Sequence, residues 1–168
     1  MYLHTHLQKS ADADKTVEAK IAFETFMDSM GITVKAYHAD NGIFRAHKWI
    51  RACAKQKQRL TFAGVNALHQ NGVAERRIRE LQEMAQTMMV HANRRWPQCF
   101  SMMLWPYALR MANHVYNYTP FQRHENQLTP LQAASGTTVE VNKKHFKTFG
   151  CPVYVLNRAL QLGHPHGK

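Results

Sequence analysis

Ile32-Thr33-Val34-Lys35-Ala36-Tyr37-His38-Ala39-Asp40-Asn41-Gly42 is the stretch on which the fold turns. It alternates through His38 with the period of a half-buried strand, and Asp40-Asn41-Gly42 is a turn signature. An acid there stands where a strand ends and its side chain can leave the sheet, the usual place for a site in an α/β fold. Upstream, a helix is predicted from a cap at Ser10 or Asp12 to a stop at Gly31. Its expected buried residues are Val17, Ile21, Phe23, Phe26, Met27 and Met30. Before it, Tyr2-Leu3-His4-Thr5-His6-Leu7 alternates and reads as a short strand. Strand, helix, strand with a tight turn predicts α/β packing.

Downstream, Arg45 to Lys57 reads as a basic amphipathic helix carrying Trp49, Ile50 and Cys53, and Leu60-Thr61-Phe62 as a short strand. Ala63 to Gln70 is small and polar, hence a loop. The strongest helical pattern runs from about Asn71 to Arg94, with Val73, Ala74, Ile78, Leu81, Ala85, Met88, Met89 and Ala92 as its apolar stripe. At 1.5 Å per residue it would span roughly 35 Å. A second long helix is expected over Cys99 to Asn117, kinked at Pro106. A short one is expected from a Thr129 cap and Pro130 to Gly136. Phe149 to Leu156 reads as a final strand. Residues 1–156 form one domain in this reading, and 157–168 a polar tail.

The 168 residues suffice for a single core, and 45% hydrophobic and 10% aromatic content exclude a disordered chain. Lys and Arg number 22 against 11 Asp and Glu, a formal net charge of +11, concentrated between Arg45 and Arg59 and between Arg76 and Arg95. That excess points to a polyanionic partner, nucleic acid before membrane, or to a merely solvated basic face. Cys53, Cys99 and Cys151 are far apart and form no CxxC pair, so they read as reduced thiols of an intracellular protein. No apolar run reaches transmembrane length, and no membrane partner is expected. His4, His6, His164 and His166 lack partners at ligand spacing, so no structural zinc site is expected.

Two acids carry the chemistry. Asp40 at a strand end and Glu75 in the first turn of a basic helix are hard oxygen ligands of the kind that hold magnesium in phosphodiester transfer. The helix macrodipole favours the negative charge of Glu75. Glu75 and Arg79 share a helix face, with Arg76 beside it, so an acid for metal would adjoin arginines for phosphate. The same residues also read as an ordinary turn and a helix-start acid with a surface ion pair. The Lys55-Gln56-Lys57-Gln58-Arg59 patch and the helix from Arg76, Arg77 and Arg79 onward are the candidate nucleic-acid contacts.

Tyr37-His38-Ala39-Asp40-Asn41-Gly42-Ile43-Phe44 followed by Gln70-Asn71-Gly72-Val73-Ala74-Glu75-Arg76 resembles the catalytic core of copia-type retrotransposon integrases. Leu104-Trp105-Pro106-Tyr107-Ala108, Asn117 with Pro120, Leu128-Thr129-Pro130-Leu131 and Phe149-Gly150-Cys151-Pro152-Val153-Tyr154-Val155 match in order. The resemblance covers most of residues 1–156. It implies a ribonuclease-H-like fold, two aspartates and a glutamate holding two magnesium (or manganese) ions, and integration of element DNA into a target, in the nucleus and with self-association. Asp40 matches the second acid and Glu75 the third; Asn71 matches a position near the DNA end. The first aspartate has no match, and Asp12 and Asp14 stand too close to Asp40 to replace it. The expectation is therefore an incomplete fold of about three strands with long helices, lacking the family's first two strands. It would bind nucleic acid with little catalysis, or be a non-catalytic basic module.

Overall fold

Asp12 starts the first helix: its side chain accepts a hydrogen bond from the Lys15 N–H at 2.8 Å, satisfying one of the donors a helix N-terminus leaves open. The computed structural model describes residues 1–64, 72–120, 128–137, 144 and 146–155. Helix α1 spans Ala13–Ser29 and stops at Gly31, whose φ of +73° is open to glycine without strain. Strand β1 (Ala36–Ala39), helix α2 (His47–Lys55) and strand β2 (Arg59–Phe62) follow. β1 and β2 pair in parallel, with Ala36 opposite Arg59 and Ala39 opposite Phe62, and α2 is the crossover between them. Helix α3 (Gly72–Arg95), helix α4 (Trp105–Tyr118) and helix α5 (Pro130–Ser135) complete the described elements.

The packing falls into two groups. α1 and α2 cover the two-stranded sheet, while α3, α4 and α5 pack on one another, with α3 against α4 the most extensive pair. The α3–α4 core is built on small residues: Ala85, Ala108 and Ala112 are fully buried, with Leu81, Met89 and Tyr116 around them. Alanines at such spacing let the two helix backbones approach closely. Direct contacts between the two groups are sparse. Asn117, which is 3% exposed, ties α4 to the N-terminal segment. Its side-chain amide accepts from the Leu3 N–H at 2.9 Å and donates to the Leu3 carbonyl at 2.6 Å, as a neighbouring strand would.

The sheet has two strands among the described residues, where about three were expected. Tyr2 to Leu7 forms no strand; Asn117 satisfies one residue of it and no ladder forms. Phe149 and Gly150 form a turn, and Cys151 to Val155 pairs with no strand. Val153, Tyr154 and Val155 are 80%, 96% and 81% exposed, because no neighbour among the described residues offers a ladder to an otherwise strand-like run. Leu156 lies outside the described residues.

The inward face of α1 also differs from expectation. Its buried residues are Thr16 and Lys20, while Ile21 is 56% and Phe26 36% exposed. Thr16, Lys20 and Glu24 recur every fourth residue, and Lys20 and Glu24 point at Tyr37 of β1. Pro106 starts α4 and does not kink it, since proline lacks only an N–H that the first turn leaves unused. The region from Pro97 to Leu104 forms two 3₁₀ turns, not the first half of a long helix. At Thr129 the expectation holds in full. Thr129 and Gln132 form a reciprocal capping box, and α5 ends at Gly136 with φ +66°.

Candidate metal and nucleic-acid site

Asp40 is placed by stitching at the exit of the sheet. Beyond the last paired residues, the Ala63 N–H donates to the Ala39 carbonyl at 2.9 Å, and the Asn41 amide donates to the Ala63 carbonyl at 2.7 Å. Asp40 Oδ1 accepts from the Gly42 N–H at 3.1 Å, closing the turn foreseen from Asp-Asn-Gly. Behind it, Trp49 is 4% exposed and meets Tyr37 and Phe44 edge-on, at ring distances of 5.3 and 4.9 Å. These rings form the floor of a cleft of about 430 Å³ that Asp40, Glu75, His38 and Ile78 also line. The two acids singled out from sequence thus share one cleft, though they come from the two separately packed groups. Both are exposed.

His38 was not foreseen as a rim residue. Strand alternation was the signal, because residues two apart share a face and His38 precedes Asp40 by two. Its Nδ1 lies 2.9 Å from Thr61 Oγ1 on β2.

Among the described residues, no group of three or more His, Cys, Asp or Glu side chains converges in a way that could hold a metal. Asp12 is engaged in capping α1, and Asp14 forms an ion pair with Lys48 at 2.7 Å, so neither turns toward the cleft. Asp40 and Glu75 alone fall short of the donor set of a two-ion centre, which needs bridging and terminal carboxylates together.

The candidate phosphate contacts divide. Lys55, Lys57, Arg59, Arg76 and Arg79 are exposed. Lys57 sits at the end of α2 with a positive φ of 54°, where the chain reverses into β2. Arg77 instead lies one turn before buried Leu81 on the same side of α3. It pairs with Glu80 and covers the Tyr116 ring, 5.6 Å from the centroid. Asn71 and the loop from 65 to 70 lie outside the described residues.

A buried polar knot supports β1 from behind. Glu24 accepts from Lys20 Nζ at 2.8 Å and from the Tyr37 hydroxyl at 2.8 Å, and Gln58 donates both to Glu24 and to the Val34 carbonyl. Burial works to raise the Glu24 pKa, but the hydrogen bonds from Lys20, Gln58 and Tyr37 outweigh it and hold the carboxyl below its usual range. Burial, and then the Glu24 carboxylate, push the Tyr37 hydroxyl well above its ordinary value. Lys20 and Glu24 were not singled out from the sequence, because an acid and a base four apart on a helix carry no signal of burial.

One chain of a solved complex, described as simian T-cell lymphotropic virus intasome in complex with PP2A regulatory subunit B56 gamma, shares this fold. The match has a TM-score of 0.56 at 17% sequence identity and covers 80% of the present chain and 44% of the other. The present chain therefore spans less than half the length of that relative. No family model and no curated protein matches the sequence. The likeness at this identity is one of fold. No helix among the described residues is long and apolar enough to cross a membrane.

Proposed function

We propose that the chain is a partial integrase-type catalytic core of the copia class, with a ribonuclease-H-like fold, that binds DNA and has little strand-transfer activity of its own. The observation that carries the reading is the meeting of Asp40 and Glu75 in one cleft. The fold shared with a chain of a viral intasome complex and the net charge of +11 support it. Asp40 and Glu75 suit one magnesium or manganese ion, which keeps several waters and takes further oxygens from a bound phosphate. Lys55, Lys57, Arg59, Arg76 and Arg79 would hold the DNA backbone, and Asn71 would lie near the DNA end. The substrates are DNA ends and target DNA, met in the nucleus, with self-association bringing two ends together.

The test is magnesium-dependent strand transfer on a short duplex with purified protein, alongside duplex binding by anisotropy. DNA binding with turnover at or near background is the expected result. Strong turnover, lost in both Asp40→Asn and Glu75→Gln, would show that a further ligand completes the centre. Absence of DNA binding at low salt would reject the reading altogether. A second reading, a purely non-catalytic nucleic-acid module, is favoured by the lack of a third converging acid among the described residues. Magnesium separates the two: in the first it tightens DNA binding and the effect disappears in Glu75→Gln, and in the second it only screens charge.

A further inference from the structure

A second cavity lies elsewhere. About 650 Å³ in volume, it opens between residues 2–5, the end of α1 and one face of α4, and shares no lining residue with the acid cleft. That size suits a small-molecule ligand. Its lining combines three features that belong together in one ligand class.

The first is aromatic surface. Tyr2 and Phe26 stack at 5.9 Å along one side, and Tyr107, 60% exposed, stands on the other. The second is charge: Arg110 lines the cavity and is exposed, and among the described residues it has no ion-pair or hydrogen-bond partner and no carboxylate lines the cavity. Tyr107 and Arg110 are three apart on α4 and so lie on one face. The third is an unmet acceptor. Asn113, three residues further along that face, lines the cavity with its side-chain oxygen buried and without a donor among the described residues. Buried polar atoms are rarely left so.

We propose that this cavity binds a nucleotide whose base carries its amine at the 6-position of adenine or the 4-position of cytosine, with the base stacked on Tyr107, the Asn113 side chain turning on binding so that its otherwise buried oxygen accepts from that amine, and the phosphate on Arg110. Aromatic rings accept any base face, so stacking sets affinity without sequence preference. The Asn113 oxygen supplies the preference, because thymine offers a carbonyl oxygen where adenine and cytosine offer N–H. Arg110 supplies the salt dependence. The site is independent of metal and stands apart from the acid cleft.

Calorimetry on the whole chain in EDTA tests it with dAMP, dCMP, dTMP, adenosine and inorganic phosphate. The expected result is binding of dAMP and dCMP at least about tenfold tighter than dTMP, the scale of one good base contact. Adenosine binds more weakly than dAMP and loses the salt dependence, and phosphate alone does not bind. Arg110→Ala brings dAMP to the level of adenosine, and Tyr107→Ala weakens every nucleotide about tenfold, by loss of one stacking platform. Both residues are exposed, so these variants keep the fold. Asn113→Leu, if its melting curve matches wild type, makes dAMP and dTMP bind alike. Equal affinity of the wild type for dTMP and dAMP, full dAMP affinity in Arg110→Ala, or no nucleotide binding at millimolar concentration would each overturn the proposal. Because EDTA removes every divalent ion, failure of the acid-cleft reading leaves these outcomes unchanged.

Discussion

Gly150 offers the sharpest test of how the chain is held together. It has φ +77°, a conformation that an L side chain adopts only at a cost of about 1–2 kcal/mol. A methyl group at that position would also lie 2.8 Å from the Cβ of Ala92 on α3, with Trp96 Cε3 at 3.7 Å. Ala92 is 4% exposed on a long helix, so relief must come from the 149–151 turn, whose Gly150 is exposed, and overpacking of this kind costs about 1–3 kcal/mol more. Gly150→Ala should therefore destabilise by about 2–5 kcal/mol in total. The two contributions separate in a double-mutant cycle. Ala92→Gly alone costs about 1 kcal/mol in helix propensity but removes the opposing methyl. In that background Gly150→Ala should cost only its backbone share, leaving a coupling of about 1–3 kcal/mol. Urea unfolding followed by tryptophan fluorescence measures all four proteins, with Trp96 beside the contact as a probe. Equal costs of Gly150→Ala in both backgrounds would refute the close approach of the 149–151 turn to α3.

Thr129→Ala removes one arm of the capping box and should cost about 1 kcal/mol, read as a lower urea midpoint with unchanged slope. Glu24 has a folded pKa below its unfolded value, so its stabilisation is present above about pH 4.3 and is lost as the pH falls through the folded pKa. In Glu24→Gln the acid limb of the stability profile should flatten; an unchanged limb would reject the knot as a source of stability. Duplex affinity should fall with salt with a logarithmic slope of about −4.5 if Lys55, Lys57, Arg59, Arg76 and Arg79 each meet a phosphate. Replacing any of these by Gln should reduce the slope by about one, whereas Arg77→Gln, already tied to Glu80, should change it least.

Local chemistry made much of the chain readable. Asp12, Gly31, Thr129 with Gln132, and Gly136 act within a few residues of themselves, and each does what its position along the sequence predicts. The acids were also legible, Asp40 from the turn that follows an alternating strand and Glu75 from the start of a long amphipathic helix. Failures arose where an element depends on a neighbour remote in sequence. Tyr2–Leu7 and Phe149–Val155 carry strand patterns, but a ladder needs a partner, and none is present among the described residues. The inward face of α1 was misjudged because Lys20 is buried by Glu24 and Tyr37 together, a compensation no helical periodicity reveals.

What the sequence alone determined is where helices begin and end, where charge accumulates, and which two acids stand at element ends. Those properties follow from backbone capping, side-chain period and composition, all of which act over a few residues. Only the tertiary structure decided that Asp40 and Glu75 line one cleft, that Arg77 turns inward while Arg76 and Arg79 face solvent, and that a second, aromatic cavity opens beside α4. The cleft and the cavity depend on how two groups with few mutual contacts come to rest against each other, and the turn of Arg77 on the packing of α3 against α4; all are fixed by residues far apart along the chain.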